Sequence, residues 1–242
     1  MAKPKQRALD LPHRPALGSE DFLVAPSNED AVAWLDRWPV WPNGMLALYG
    51  PPGCGKSHLA MVFARRTGAP VHAASALVEG DPADLMANGE ALVIEDGEGL
   101  IRAEVLFHII NAARHLGRTL LLTGRTPPSR WPVGLADLAS RLASVSAVEI
   151  HKPDDSLMAA VLVKLFADRQ IRLPGEALPY LLTRMERSFA SARLLVAEAD
   201  RLSLEGGRPV TLPLLRDVLD ASGDYSRPFS DRRDEQSSEE RS

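Results

Sequence analysis

Residues Gly50-Pro51-Pro52-Gly53-Cys54-Gly55-Lys56-Ser57 satisfy the G-x-x-x-x-G-K-[ST] spacing at every fixed position. The residue types define the chemistry. Glycines let successive backbone N–H groups close around an anion, and a helix opening from the loop adds positive potential at its first turn. Lys56 is placed to reach the outer phosphates of a nucleotide, and the Ser57 hydroxyl to hold Mg²⁺. The apolar run Met45 to Tyr49 reads as a buried strand entering the loop. His58 to Arg66 reads as the helix leaving it, closed by Gly68. Gly50 through His58 are therefore expected to bind a nucleoside di- or triphosphate.

About forty residues downstream, Leu92-Val93-Ile94 is an apolar strand ending in two acids, Glu95 and Asp96. Beside a phosphate loop, the first acid would coordinate Mg²⁺ together with Ser57, and the second would orient an attacking water. The strand carrying them is expected next to the loop strand. The order Glu then Asp reverses the commoner Asp then Glu. Changing arm length moves a carboxylate by about a bond length, which base catalysis tolerates less well than metal binding does. Weak hydrolysis, hydrolysis not at all, and two merely solvated acids stay open. Thr123-Gly124-Arg125 ends a further strand, where a polar group could sense a γ-phosphate. Arg141, in Ala139-Ser140-Arg141-Leu142, reads either as a surface ion pair or as a finger reaching a neighbour's nucleotide.

The elements that must position these groups alternate strand and helix. Val71–Ala74, Ala91–Ile94, Thr119–Thr123 and Ser146–Ile150 read as strands, and Ala103–His115 and Leu135–Leu142 as helices. That alternation predicts an α/β parallel sheet over residues 18–152. Residues 153–220 show helical patterns only, the first begun by Asp154 and Asp155, and predict a small all-helical unit. Residues 1–17 read as a flexible arm, and the polar residues 221–242 as a disordered tail. Trp34, Trp38 and Trp41 are expected to pack the back of the α/β unit, because no basic groove surrounds them for stacking bases.

The chain has 242 residues, a 45% apolar fraction and a net charge of −4, so bulk electrostatics do not draw it to polyanions. A single cysteine, Cys54, excludes an internal disulfide. No apolar run is long enough to cross a bilayer, and the histidines lack metal-ligand spacing. A cytoplasmic protein without membrane contact is expected.

Several segments together resemble the DnaA-related AAA+ ATPases. They are the phosphate loop with Leu48-Tyr49, Val93-Ile94-Glu95-Asp96, Phe107-His108-Ile109-Ile110-Asn111, Thr123-Gly124-Arg125-Thr126-Pro127-Pro128, Ser140-Arg141-Leu142 and Gly207-Arg208-Pro209-Val210-Thr211-Leu212. The resemblance spans about residues 20–220 and implies an AAA+ α/β core with a helical lid, holding ADP or ATP with Mg²⁺. Compared with the initiators, Ser75–Glu90 is short and acidic, and only a polar tail follows Asp220. No sequence-specific DNA reading of its own is therefore expected. Gln6-Arg7-Ala8-Leu9-Asp10-Leu11 is similar to Q-x-x-L-x-L/F peptides that bind the DNA sliding clamp, with Gln6, Leu9 and Leu11 as contacts.

Arm plus module resembles the Hda-type regulators, which act from the clamp on DnaA-bound ATP. That resemblance implies the clamp and DnaA as partners, with a homo-oligomer also allowed. It makes Arg141 the finger completing the site on DnaA. It also implies a lid arginine on the nucleotide phosphates. An ungapped count puts Ala190 there, flanked by Arg187 and Arg193, of which Arg193 is favoured. Phe22, Leu23 and Val24 line either an adenine pocket or the core. The competing reading is an autonomous DNA-remodelling or loading ATPase acting on single-stranded DNA.

Overall fold

The computed structural model describes residues 23–77, 85, 89–98 and 101–222. It places β1 (Met45–Tyr49), β2 (Val71–Ala73), β3 (Ala91–Glu95), β4 (Thr119–Gly124) and β5 (Ser146–Glu149) in one parallel sheet of order β2-β3-β4-β1-β5. The side-chain period of two sends alternate residues to opposite faces. Leu46, Leu48, Val93 and Leu121 face one layer, built by α1 (Glu29–Asp36) and α2 (Lys56–Thr67). Met45, Ala47, Leu92, Ile94, Leu120 and Leu122 face the other, built by α3 (Ala103–His115) and α4 (Ala136–Ala143). Helix α3 forms because Val105, Leu106, Ile109, Ile110 and Ala113 recur at helical spacing and all are buried. Each fully buried Leu or Ile contributes about 1.5–3 kcal/mol relative to exposure.

The expectation that the acid-bearing strand adjoins the loop strand is overturned. Strand β4 pairs with β1 through Leu46↔Leu121 and with β3 through Val93↔Leu121, so it stands between them. The reason lies in the composition of β4, which is buried at all six positions. Such a strand needs neighbours on both edges and helices on both faces. Short, half-buried β2 takes the edge instead. At a strand spacing of about 4.8 Å, Glu95 is offset from the loop strand by two spacings, about 10 Å.

The three tryptophans pack as read. Trp41 stacks on Phe63 of α2 with ring centroids 5.2 Å apart, and Trp38 meets the same ring edge-on at 6.0 Å. Their indole N–H groups donate to Trp34 O and Thr119 Oγ1, both at 2.8 Å. Trp34 and Val24 are partly buried against the same core cluster.

The chain divides into two compact units between Leu157 and Met158. The division falls inside α5 (Asp155–Asp168). Asp154 Oδ1 accepts from Leu157 N at 2.7 Å and so caps that helix. The second unit continues with α6 (Ala177–Arg184), α7 (Phe189–Gly206) and α8 (Leu212–Ser222). Ser188 Oγ accepts from Ser191 N at 3.1 Å to start α7, and Gly207, at φ +56°, ends it. Met158, Leu162, Phe166, Leu181, Val196 and Leu215 form the centre of this unit's own core.

Candidate phosphate-binding site

All five strands run in parallel, so the C-terminal ends of β1, β3 and β4 share one edge of the sheet, where open α/β sheets bind ligands. The phosphate loop occupies that edge. Gly50 has φ +151°, and a Cβ there would lie 2.2 Å from the Ile150 carbonyl oxygen, so only glycine fits between the loop and the chain leaving β5. Gly53 and Gly55 also hold positive φ, at +74° and +109°. Lys56 opens α2 and is only 8% exposed. Its Nζ donates to Gly50 O at 2.8 Å and Pro51 O at 3.0 Å, and lies 3.9 Å from Cys54 Sγ. The loop thus wraps its own lysine, whose ammonium is held against backbone dipoles.

Cys54 is buried beside it, and burial pushes the thiol above its ordinary range against the opposing pull of the Lys56 ammonium. Pro52, Ser57 and His58 are exposed at the loop and the first turn of α2, while Pro51, Gly53 and Gly55 are half-buried.

The tips of β1, β4 and β3 are tied together. Gly50 N donates to Gly124 O at 3.3 Å. Thr123, fully buried, accepts twice from the acidic strand: Asp96 N donates to its Oγ1 at 3.0 Å and Gly97 N to its carbonyl at 2.9 Å. Asp96 is exposed and sits at φ +53°, a left-handed conformation uncommon outside glycine. Glu95 is half-buried, and its Oε1 has no hydrogen-bond partner among the described residues.

That orphaned carboxylate oxygen fits a hard cation. Mg²⁺ bound to nucleotide takes one or two protein oxygens and otherwise phosphate and water, so Glu95 and the Ser57 hydroxyl are an adequate donor set. Among the described residues no cluster of three or more His, Cys, Asp or Glu forms a self-contained metal centre.

Arg141 lies in the last turn of α4, half-buried, with its guanidinium carbon 5.0 Å from the centre of the Phe107 ring on α3. No carboxylate pairs with it among the described residues, so the surface ion pair considered from sequence is not formed there. Ala190 and Arg193 are both exposed on the first turns of α7, in the other compact unit. Gln6, Leu9, Leu11 and Phe22 lie outside the described residues, as do most of Ser75–Glu90 and the tail beyond residue 222.

Two contributors were not singled out from sequence. Glu98 binds the turn after β4, and Trp131 packs against Gly97 and Gly124, where an added Cβ would come within 2.6 and 2.8 Å of its ring. The signal for Glu98 was a third acid close behind the Glu95-Asp96 pair. For Trp131 there was none, since its glycine partners are remote in sequence.

Comparison with known proteins places both units. Residues 155–219 match the family model of the Hda lid domain. The fold is that of domain III of the Thermotoga maritima replication initiation protein DnaA (TM-score 0.70, 17% identity, 83% of this chain and 94% of that one). DnaA from Aquifex aeolicus, solved bound to AMPPCP, aligns with TM-score 0.62 and 21% identity over 81% of this chain and 68% of its own. Thermotoga maritima RuvB aligns with TM-score 0.60 and 16% identity over 81% and 68%. The α/β unit therefore has the AAA+ fold. No helix among the described residues is long and apolar enough to cross a membrane.

Proposed function

We propose that this DnaA-related AAA+ protein with an Hda-type lid is a regulator of chromosomal replication initiation. In this reading it binds ADP or ATP with Mg²⁺, docks on the DNA sliding clamp through Gln6, Leu9 and Leu11, and stimulates hydrolysis of ATP held by DnaA. The observation that carries the reading is Arg141. A guanidinium held on an aromatic face, with no carboxylate among the described residues to neutralise it, keeps its charge for an anion brought by a partner. Stacking also fixes its direction in advance, so less side-chain freedom is lost when it engages phosphate. A finger supplied in trans neutralises charge on the equatorial oxygens of the transferring phosphoryl group, an effect of about 10³–10⁵ in rate.

The protein's own nucleotide would be held by the N–H groups of the loop from Gly50 to Ser57 and by Lys56 exchanging its carbonyl partners for phosphate oxygens. Mg²⁺, when bound, would neutralise phosphate charge next to Ser57 and Glu95. Because β4 separates Glu95 from the loop strand, that acid would hold Mg²⁺ at the sheet edge and would not touch phosphate itself. Asp96 is assigned to orienting water. Nucleotide on this chain then sets its conformation, while the chemistry accelerated is on DnaA.

The test pairs two variants. Deleting residues 1–12 should abolish binding to purified clamp and leave nucleotide binding intact. Arg141→Ala should keep clamp binding and lose stimulation of DnaA-bound ATP hydrolysis. Hydrolysis by this protein alone that rises on adding single-stranded DNA would instead support the remodelling ATPase.

A further inference from the structure

We infer that Glu98 is a positioning residue of the nucleotide site: its carboxylate latches the turn after β4 to the acidic end of β3. The inference rests on the reading that this edge of the sheet binds nucleotide. Glu98 Oε2 accepts from Arg125 N at 2.9 Å and from Thr126 N at 3.0 Å, and Oε1 accepts from Thr126 Oγ1 at 2.9 Å. Charge-assisted bonds of this length are about twice as strong as neutral ones. The two N–H groups lie just beyond Gly124, where the sheet ladder has ended, so the side chain takes over from the backbone there.

The geometry that brings Glu98 back to β4 starts at Asp96. Its positive φ turns the chain out of the strand direction. Thr123 holds that turn through Asp96 N and Gly97 N, and Glu98 holds it from the far side. The Trp131 indole closes the assembly, donating to Thr126 O at 2.9 Å with its ring packed on Gly97 and Gly124. Asp96 is thereby fixed between two anchors on β4, and β4 is bonded to the loop through Gly50 N and Gly124 O. Any shift of the turn at Arg125 and Thr126 moves the acids relative to the phosphate loop. A misplacement of about 1 Å at such a site costs about a hundredfold in a step that depends on geometry.

The latch is a matter of hydrogen bonding, which separates it from a role in which Glu98 acts by charge. In Glu98→Gln the amide oxygen can accept both N–H groups, and the amide nitrogen can donate to the Thr126 hydroxyl with its role reversed. All three contacts survive without the charge. In Glu98→Ala all three are lost.

The experiment compares the intact protein with Glu98→Ala, Glu98→Gln and Thr126→Val, after circular dichroism confirms folding. Amide hydrogen exchange is read at Arg125 and Thr126. A fluorescent ADP is titrated with Mg²⁺ and with EDTA. Glu98→Ala should speed exchange at both amides by about tenfold or more. It should also lose most of the affinity gained from Mg²⁺, with affinity in EDTA changed less than about twofold. Glu98→Gln should stay close to wild type in both readouts, and Thr126→Val should fall between.

Unchanged exchange and an unchanged Mg²⁺ gain in Glu98→Ala overturn the assignment. A Glu98→Gln variant as impaired as Glu98→Ala overturns it in favour of a charge role. Wild-type protein that binds no nucleotide overturns the reading of the site and the positioning role with it, and exchange at the two amides then shows separately whether the contacts form.

Discussion

Lys56→Ala isolates the loop's chemistry from its fold. In the free protein Lys56 is 8% exposed, and its ammonium is bonded to Gly50 O and Pro51 O. Removing it deletes two charge-assisted bonds and also the cost of burying a charge held only by carbonyl dipoles. These oppose each other, so the free protein's stability should change by less than about 1 kcal/mol. In nucleotide binding the compensation is only partial. Charge-assisted bonds to phosphate are each worth about 1.5–3 kcal/mol, and Lys56 gives up two carbonyl bonds to make them. A net loss of about 2–3 kcal/mol corresponds to about 30- to 150-fold in Kd.

The assay is thermal unfolding with and without Mg²⁺-ADP. At a ligand concentration of about 100 times the wild-type Kd, binding stabilises by about 2.7 kcal/mol. For a chain of this size that raises Tm by about 5–11 °C. A variant binding about a hundredfold more weakly would gain about 0.4 kcal/mol at the same concentration, or about 1–2 °C. Equal ligand-induced shifts in Lys56→Ala and wild type would refute the assignment of Lys56 to phosphate. A large loss of Tm in the free variant would refute the near-cancellation argued for its buried contacts.

Three further outcomes follow from the same geometry. Gly50→Ala forces a Cβ to 2.2 Å from a backbone carbonyl in a positive-φ conformation, so it should destabilise by about 2–4 kcal/mol, read as a lower urea midpoint; an unchanged midpoint would contradict the tight loop packing. Cys54 is kept protonated by burial, so the folded state binds its proton more tightly than the unfolded chain. Its contribution is complete well below its ordinary value of 9.0 and is lost as pH rises through the higher folded value. Urea midpoints should therefore fall more steeply above pH 9 in wild type than in Cys54→Ala; Tyr49, also pushed up by burial and then by Glu149, contributes equally to both proteins. Arg141→Ala loses a ring contact worth about 0.5–1 kcal/mol, so its Tm should stay within a few degrees of wild type. A larger fall would make Arg141 structural.

The strands, the loop and the helices described in the second unit were legible because each is written locally, in apolar period, glycine spacing and a cap such as Asp154. The order of strands was not. Nothing in Leu92–Asp96 or in Thr119–Gly124 says which of them adjoins Met45–Tyr49, because parallel strands joined through helices can be laid down in more than one order. The acids Glu95 and Asp96 were visible as residue types, but the left-handed turn at Asp96 was not, and Glu98 has meaning only once that turn returns it to Arg125 and Thr126. Likewise Phe107 and Arg141 were each noticed in separate segments, while their stacking depends on α3 and α4 packing on one face of the sheet.

The most direct test of the central claim is single-turnover hydrolysis of ATP pre-bound to DnaA, measured with DNA-loaded sliding clamp and this protein as wild type or Arg141→Ala. Wild type should accelerate hydrolysis by about a hundredfold or more over DnaA alone, and Arg141→Ala should return it to the rate of DnaA alone while still binding clamp. Acceleration by Arg141→Ala equal to that by wild type, or none by wild type, would contradict it.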